Sequence, residues 1–238
     1  MTDFTEIWVY LSSSPLLHLT LTLVAYQIGD WAYKRSGGLA ILNPVLLAVA
    51  MLVAVLLITD TDYGTFFEGA KFVHFLLGPA TVALAIPLYN QLEQVKRSLP
   101  ALLSSLALGS ATGALSAIGI AWVLGAGPTV VASIAPKSVT VAIAMGVSAE
   151  IGGLPSLTAM LVLLTGITGA MFGPALLHLL CVRDSRAKGL ALGAASHGIG
   201  TARAVQIDEL AGAFSGIAMG LNGLLTAAML PLIWRWLF

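Results

Sequence analysis

The chain has 238 residues, 58% of them hydrophobic and 9% charged, against roughly 25% charged in an average soluble domain. Its mean hydropathy of +0.95 is more apolar surface than a soluble fold of this length can hide, which excludes a soluble protein and predicts an integral membrane one. A net charge of zero argues against a nucleic-acid partner, and the single cysteine, Cys181, excludes an intrachain disulfide and reads as a packing residue. The acidic start MTDFTEIW lacks the basic region of a signal peptide, so no cleaved leader is expected. Apolar stretches then follow at 11–31, 39–58, 66–89, 99–125, 129–148, 156–181, 187–206 and 211–236. Their lengths, mostly near the roughly 20 residues a spanning helix needs, predict helices rather than barrel strands. Asn43 before Pro44 predicts a cap on the second stretch. Glu150, followed by Gly152, Gly153 and Pro155, predicts a turn after the fifth. Asn222, inside the last, is placed to bridge helices. The loops are short and leave no room for a soluble domain, so residues 1–238 read as one transmembrane domain.

Lysine and arginine set the expected orientation. Lys34 and Arg35 lie in the first loop, Lys96 and Arg97 in the third, and Arg183, Arg186 and Lys188 between 181 and 188. If all eight stretches cross, the last cluster falls opposite the others. If 129–148 instead enters and returns on one face, the basic loops share a side. Pro128, Pro136 and Lys137 weaken that stretch as a span, and His197 and Arg203 weaken 187–206. About six crossings and two re-entrant or broken segments are therefore expected, with the N-terminus outside.

Three stretches resemble one another: LLGPATVALAIPL at 76–88, APKSVTVAIAM at 135–145 and ASHGIGTARAV at 195–205. Transporters often carry internal repeats with discontinuous helices near the bilayer midplane. In that reading Gly78 and Pro79, Pro136, and Gly198 and Gly200 break the helices. The exposed N–H groups of each half-helix attract an anion. A cation at membrane depth costs on the order of 3 kcal/mol on insertion scales, which a bound anion offsets. Lys137 and Arg203 are placed to hold a carboxylate, with Ser138, Thr140, Ser196, His197 and Thr201 reading the rest of the ligand. The alternatives stay open: Lys137 snorkels to the interface, Arg203 pairs with Asp208 or Glu209, and His197 is a core hydrogen-bonding group.

Nothing points to an enzyme or a cofactor. The chain has no GxSxG, HExxH, Walker loop or CxxC, and no histidine–carboxylate cluster with metal-ligand spacing. Without an ATP site, transport would be coupled to a gradient or to exchange.

The stretches LLGPATVALAIPLY at 76–89, PKSVTVAIAM at 136–145, GGLPSLTAMLVLLTGITGAMFGP at 152–174 and GLALGAASHGIGTARA at 189–204 resemble the LrgB/CidB family of bacterial inner-membrane proteins, from about residue 15 to the end. The family's PKSVT motif falls on Pro136 to Thr140. Its SHxIGTARA motif falls on Ser196, His197, Ile199, Gly200, Thr201, Ala202, Arg203 and Ala204. Members often continue PKSVT with threonine and proline, where this chain has Val141 and Ala142. The resemblance implies either of two functions. One is holin/antiholin-like modulation of murein hydrolase export and autolysis beside a small LrgA/CidA-type membrane protein. The other is the glycolate/glycerate transport of the plastidial relative, with pyruvate uptake linked to bacterial members. The combined expectation is an all-α, polytopic, multi-pass inner-membrane protein of transporter type. It has broken or re-entrant helices, binds a small carboxylate without metal or cofactor, and forms a homodimer, with a small LrgA/CidA-like protein as a possible partner.

Overall fold

The computed structural model describes residues 15–37, 42–83 and 85–237, with backbone alone at 74, 77, 78, 80, 81, 85, 87, 88 and 237. The expectation about the first residues lies outside this range. The described residues are mainly helical, with no strand among them. The chain divides into two compact units, residues 1–83 and 84–238.

The first unit holds α1 (Pro15–Arg35), α2 (Pro44–Ile58) and α3 (Tyr63–Ala83). Helix α1 packs on both others. Gly69 of α3 lies against the Pro15 carbonyl and His18, and the buried His18 ring meets Phe66 edge-on at 5.6 Å. Helix α2 starts as its sequence requires: the Asn43 side chain accepts from the N–H groups of Val45, at 2.9 Å, and Leu46, at 3.3 Å, and Pro44 occupies the first turn, where no N–H is needed. The first repeat behaves differently from expectation. Helix α3 runs on to Ala83 with Gly78 and Pro79 inside it, so neither residue breaks it. Proline is tolerated within membrane helices because neighbours re-satisfy the freed carbonyl.

The second unit holds α4 (Ala85–Asn90), α5 (Leu92–Val123), α6 (Pro128–Ile134), α7 (Val141–Glu150), α8 (Pro155–Leu179), α9 (Ser185–Ile207) and α10 (Glu209–Leu237). Helices α5, α8 and α10 are long and apolar enough to cross a membrane. Their outer faces expose Leu108, Ile120, Phe172, Leu224 and Leu232, as a lipid-facing surface does. Trp122 and Trp236 are exposed near the C-terminal ends of α5 and α10, the position of interfacial aromatic anchors.

Between these spans lie two helical hairpins. In the first, α6 and α7 flank a non-helical tip at 135–140. Val131, Ala132 and Ala135 of the inbound side share a buried cluster with Val147 and Ile151 of the outbound side, together with Ile118 and Ala121 of α5 and Leu230 of α10. The segment thus enters and returns at one end of the bundle. Hydroxyls pin its base. Ser133 Oγ accepts from the Leu154 N–H at 2.8 Å, and Thr158 Oγ1 lies 3.0 Å from the Ser133 carbonyl and 2.7 Å from Ser148 Oγ.

The second hairpin is α9. Its backbone leaves the helical region at Ser196 (φ −131°, ψ 15°) and His197 (φ 44°, ψ −132°). The chain reverses there. Gly200 lies against the Leu192 carbonyl, and Ser185 Oγ, at the start of the first arm, donates to Asp208 Oδ2, just past the end of the second, at 2.5 Å. Gly198 and Gly200 are therefore inside the returning arm, not at the break. The first arm packs closely on α10: a Cβ added at Gly193 would lie 2.2 Å from the Ser215 carbonyl oxygen. Small residues at such crossings let membrane helices approach backbone to backbone.

The hairpins enter from opposite ends. The first has its base at the C-terminal ends of α5 and α10. The second has its base at the start of α10 and near Ser98 in the early part of α5, to which Arg186 donates at 3.3 Å. The second base carries Arg183, Arg186 and Lys188, beside Lys96 and Arg97 of α5, which places these basic residues at one end of the unit as the basic-inside rule asks. Cys181 does not pack inside. It is exposed in the turn after α8, at φ 56°.

Candidate functional site

The two hairpin tips meet. Asn222, midway along α10 and 1% exposed, donates its amide to the Ser138 carbonyl at 3.3 Å and to the Ala194 carbonyl at 2.8 Å. One carbonyl belongs to each tip. A single side chain on a spanning helix thus joins two re-entrant segments more than 50 positions apart in the chain. Its Oδ1 is buried without a partner among the described residues.

Beside this junction lies a cavity of about 630 Å³. The first tip contributes Lys137 and Ser138, the second Ala195 and Ser196, α5 Ser110 and Gly113, and α8 Thr165 and Thr168. Among the described residues, no aspartate or glutamate lines it. The Lys137 ammonium donates to Ser138 Oγ at 3.3 Å, and no acid pairs with it among the described residues. The tip has its form because Pro136 cannot continue α6 through its own N–H. The N–H of Lys137 closes a turn on the Ile134 carbonyl at 3.1 Å. Helix α7 then starts after Thr140, whose side chain makes no capping bond to its first N–H groups.

The second tip is fixed from α8. Ser196 is buried at the cavity wall, where Gly169 makes room for it: a Cβ on Gly169 would lie 1.7 Å from Ser196 Oγ. His197 sits behind the wall. Its Nε2 is 3.0 Å from the Val162 carbonyl, and it is 5% exposed. Thr201 is fully buried, donating to the His197 carbonyl at 2.8 Å and accepting from Ser215 Oγ at 3.0 Å.

The residues singled out from the sequence thus separate. Lys137, Ser138 and Ser196 share the cavity. Thr140, His197, Thr201 and Arg203 do not line it. His197 and Thr201 hold the tip that carries Ser196. Arg203 lies in the returning arm, bonded to Gln206 at 2.8 Å. Because the chain reverses at His197, Arg203 is carried back about 10 Å along the arm from Ser196, away from Lys137. Sequence reasoning missed Ser110, Thr165 and Thr168 as cavity residues. Their one signal is a hydroxyl inside an otherwise apolar span, shared by many residues that only bond their own helix, as Thr165 does to Leu161 at 2.7 Å. No group of three or more metal-type side chains occurs among the described residues. The arrangement is suited to holding one small anion against a lysine and hydroxyls.

The LrgB-like family model matches residues 22–236 of the chain. Among similar proteins, the uncharacterized protein YxaC of Bacillus subtilis is 36% identical over 94% of this chain and 96% of its own length. An uncharacterized protein of Haemophilus influenzae is 35% identical over 93% and 96%. The antiholin-like protein LrgB of Bacillus cereus is 31% identical over 92% and 95%. No solved structure matches the chain.

Proposed function

The chain belongs to the LrgB-like family, and from that premise we propose that it is a secondary membrane transporter of small monocarboxylates of the glycolate, glycerate or pyruvate kind. One observation carries this reading: Lys137, at the tip of a re-entrant hairpin, has no acidic partner among the described residues, and none of them brings a carboxylate to the cavity it lines. A lysine there is held at the cost of desolvation, and an anionic ligand supplies the missing charge. Ser138 and Ser196 bring one hydroxyl from each hairpin to that ligand. Two broken segments that enter from opposite ends and meet beside a spanning helix are similar in kind to the discontinuous helices that form substrate sites in many secondary transporters.

A second reading has its own support. The Bacillus cereus relatives carry the name antiholin-like protein LrgB, which favours an antiholin-like role; modulation of murein hydrolase export beside a small LrgA/CidA-like partner is what the family resemblance implies for such a role. The names speak for the second reading and the geometry for the first. Uptake of labelled glycolate, glycerate and pyruvate into proteoliposomes, with and without such a partner, separates them. The transport reading expects saturable uptake that Lys137→Gln abolishes. Absence of uptake under every imposed gradient, with the partner present, gives the case to the antiholin-like reading.

A further inference from the structure

A second cavity, of about 410 Å³, adjoins the chamber at Lys137 and is lined by Ser98, Leu102, Ser105, Asp184, Arg186 and Leu190, among others. Leu190 lines both. On α5 the outer cavity takes Ser98, Ala101 and Ser105, and the inner one Gly109 and Gly113. These residues recur every three or four positions and so lie on one face of the helix. On the first arm of α9, Arg186, Leu190 and Ala194 succeed one another at single-turn intervals in the same order. The two cavities are compartments of one groove between α5 and α9, about 22 Å long from Ser98 to Gly113 at the helical rise.

The groove has a mouth and a divide. At the mouth Arg186 reaches across to Ser98 Oγ at 3.3 Å while its guanidinium is held by Asp184 at 2.6 Å. At the divide Leu190 packs against the buried Val95, Leu102 and Phe214. Toward the other end of the unit, the space between the first hairpin and its neighbours is filled by buried Ile118, Ala121, Val131, Val147 and Leu230.

We propose that this groove is the route by which the ligand reaches the Lys137 chamber from the end carrying the 180–184 turn, and that Leu190 is its gate. The nature of the ligand rests on the carboxylate reading above; the route itself is a property of the chain. Cys181, exposed in that turn, marks the side from which the groove opens.

The test uses the full chain in its membrane. An anionic, membrane-impermeant thiol reagent is applied to intact cells and to inverted vesicles, first with native Cys181 to identify the side. Single cysteines follow at Ser105→Cys, in the outer compartment, and Gly113→Cys, in the inner one, each with Cys181→Ala. A Cβ at Gly113 meets only Ser138 Oγ at 3.7 Å, so the inner probe fits. The expected result is reaction of Gly113→Cys from the Cys181 side, lost on adding Leu190→Trp and accelerated by Leu190→Ala. Ser105→Cys reacts at an unchanged rate throughout, which also reports that each variant is folded. Reaction of Gly113→Cys from the opposite side only, or from neither, overturns the route. A rate at Gly113→Cys unaffected by either Leu190 substitution overturns the gate. If Leu190→Trp disturbs the Ser105→Cys rate, the Leu190→Ala result decides alone. Because labelling needs no substrate, a chain that labels as expected but moves no acid retains the route and loses the carboxylate reading.

Discussion

His197 holds its backbone at φ 44° and ψ −132°, a region in which glycine is at home and other residues are strained by about 1–3 kcal/mol. The imidazole compensates by anchoring the tip to the Val162 carbonyl. This predicts an inverted ranking of two substitutions. Alanine normally stabilises a helical segment over glycine by about 0.5–1 kcal/mol; here His197→Ala loses the anchor and keeps the strain, whereas His197→Gly loses the anchor and releases it. Thermal melts of the purified chain are expected to place the glycine variant above the alanine one, and the reverse order would show that the tip is not held in this conformation. Asn222 supports a second prediction. Asn222→Asp keeps the side-chain shape but turns a donor to the Ser138 and Ala194 carbonyls into an acceptor facing them. Leaving buried acceptors unpaired costs about 1–3 kcal/mol each, so the aspartate variant is expected to melt well below wild type, and an unchanged melting temperature would mean that the joint carries no load. Neither role follows from residue type alone. A lone asparagine in an apolar span announces a polar bridge, but its two partners are backbone carbonyls that only the meeting of the tips brings together. The positive φ of His197 has no counterpart in its propensity.

At the scale of elements, the two hairpins were unequally legible. The first showed itself through Pro128, Pro136 and Lys137, residues that weaken a span: its tip lies at Pro136 and Lys137, and Pro128 opens its first helix. The second was expected to be re-entrant or broken as well, because His197 and Arg203 interrupt it, but the sequence placed its break imprecisely. Its glycines marked the right neighbourhood, but the reversal sits at Ser196 and His197, and Gly198 and Gly200 begin the return. That difference of a few residues is what removes Arg203 from the chamber, since a helix that turns back carries its cation outward. The first repeat misleads for the opposite reason: Gly78–Pro79 has the composition of a break, yet α3 runs through it. The base of the second hairpin yields a pH prediction. Asp184 caps its first arm through the Arg186 N–H at 2.8 Å, and the hydrogen bond from the Arg186 side chain, opposed by slight burial, holds its carboxyl below the ordinary 3.8. A carboxyl lowered in the folded state stabilises it above the unfolded value, and that contribution is lost as pH falls through the folded one. The pair is exposed, so the effect is expected to stay under about 1 kcal/mol. Asp184→Asn retains a capping oxygen; it is expected to match wild type closely at neutral pH and to lose less stability on acidification below about pH 4. Parallel acid slopes for the two proteins would remove Asp184 from the account.

For the molecule as a whole, composition alone fixed the class: so few charges and so much apolar sequence leave a helical membrane protein as the physical solution. The opposed entry of the hairpins adds what composition cannot express, because it depends on which ends of α5, α8 and α10 each base joins. Arranged this way, the basic residues at 96–97 and 183–188 fall at one end, and among the described residues Lys137 is the cation that lines the cavity at the meeting of the tips. On the carboxylate reading, that lysine acts alone at the chamber, without Arg203. This is tested most directly by equilibrium binding of glycolate, glycerate and pyruvate to the purified chain, comparing wild type with Lys137→Gln and Arg203→Gln. A charged hydrogen bond contributes about 1.5–3 kcal/mol, so the Lys137 variant is expected to bind at least one of these acids roughly 10- to 100-fold more weakly, while the Arg203 variant binds as wild type does. Equal affinity in wild type and Lys137→Gln, or no binding of any acid to wild type, would contradict it.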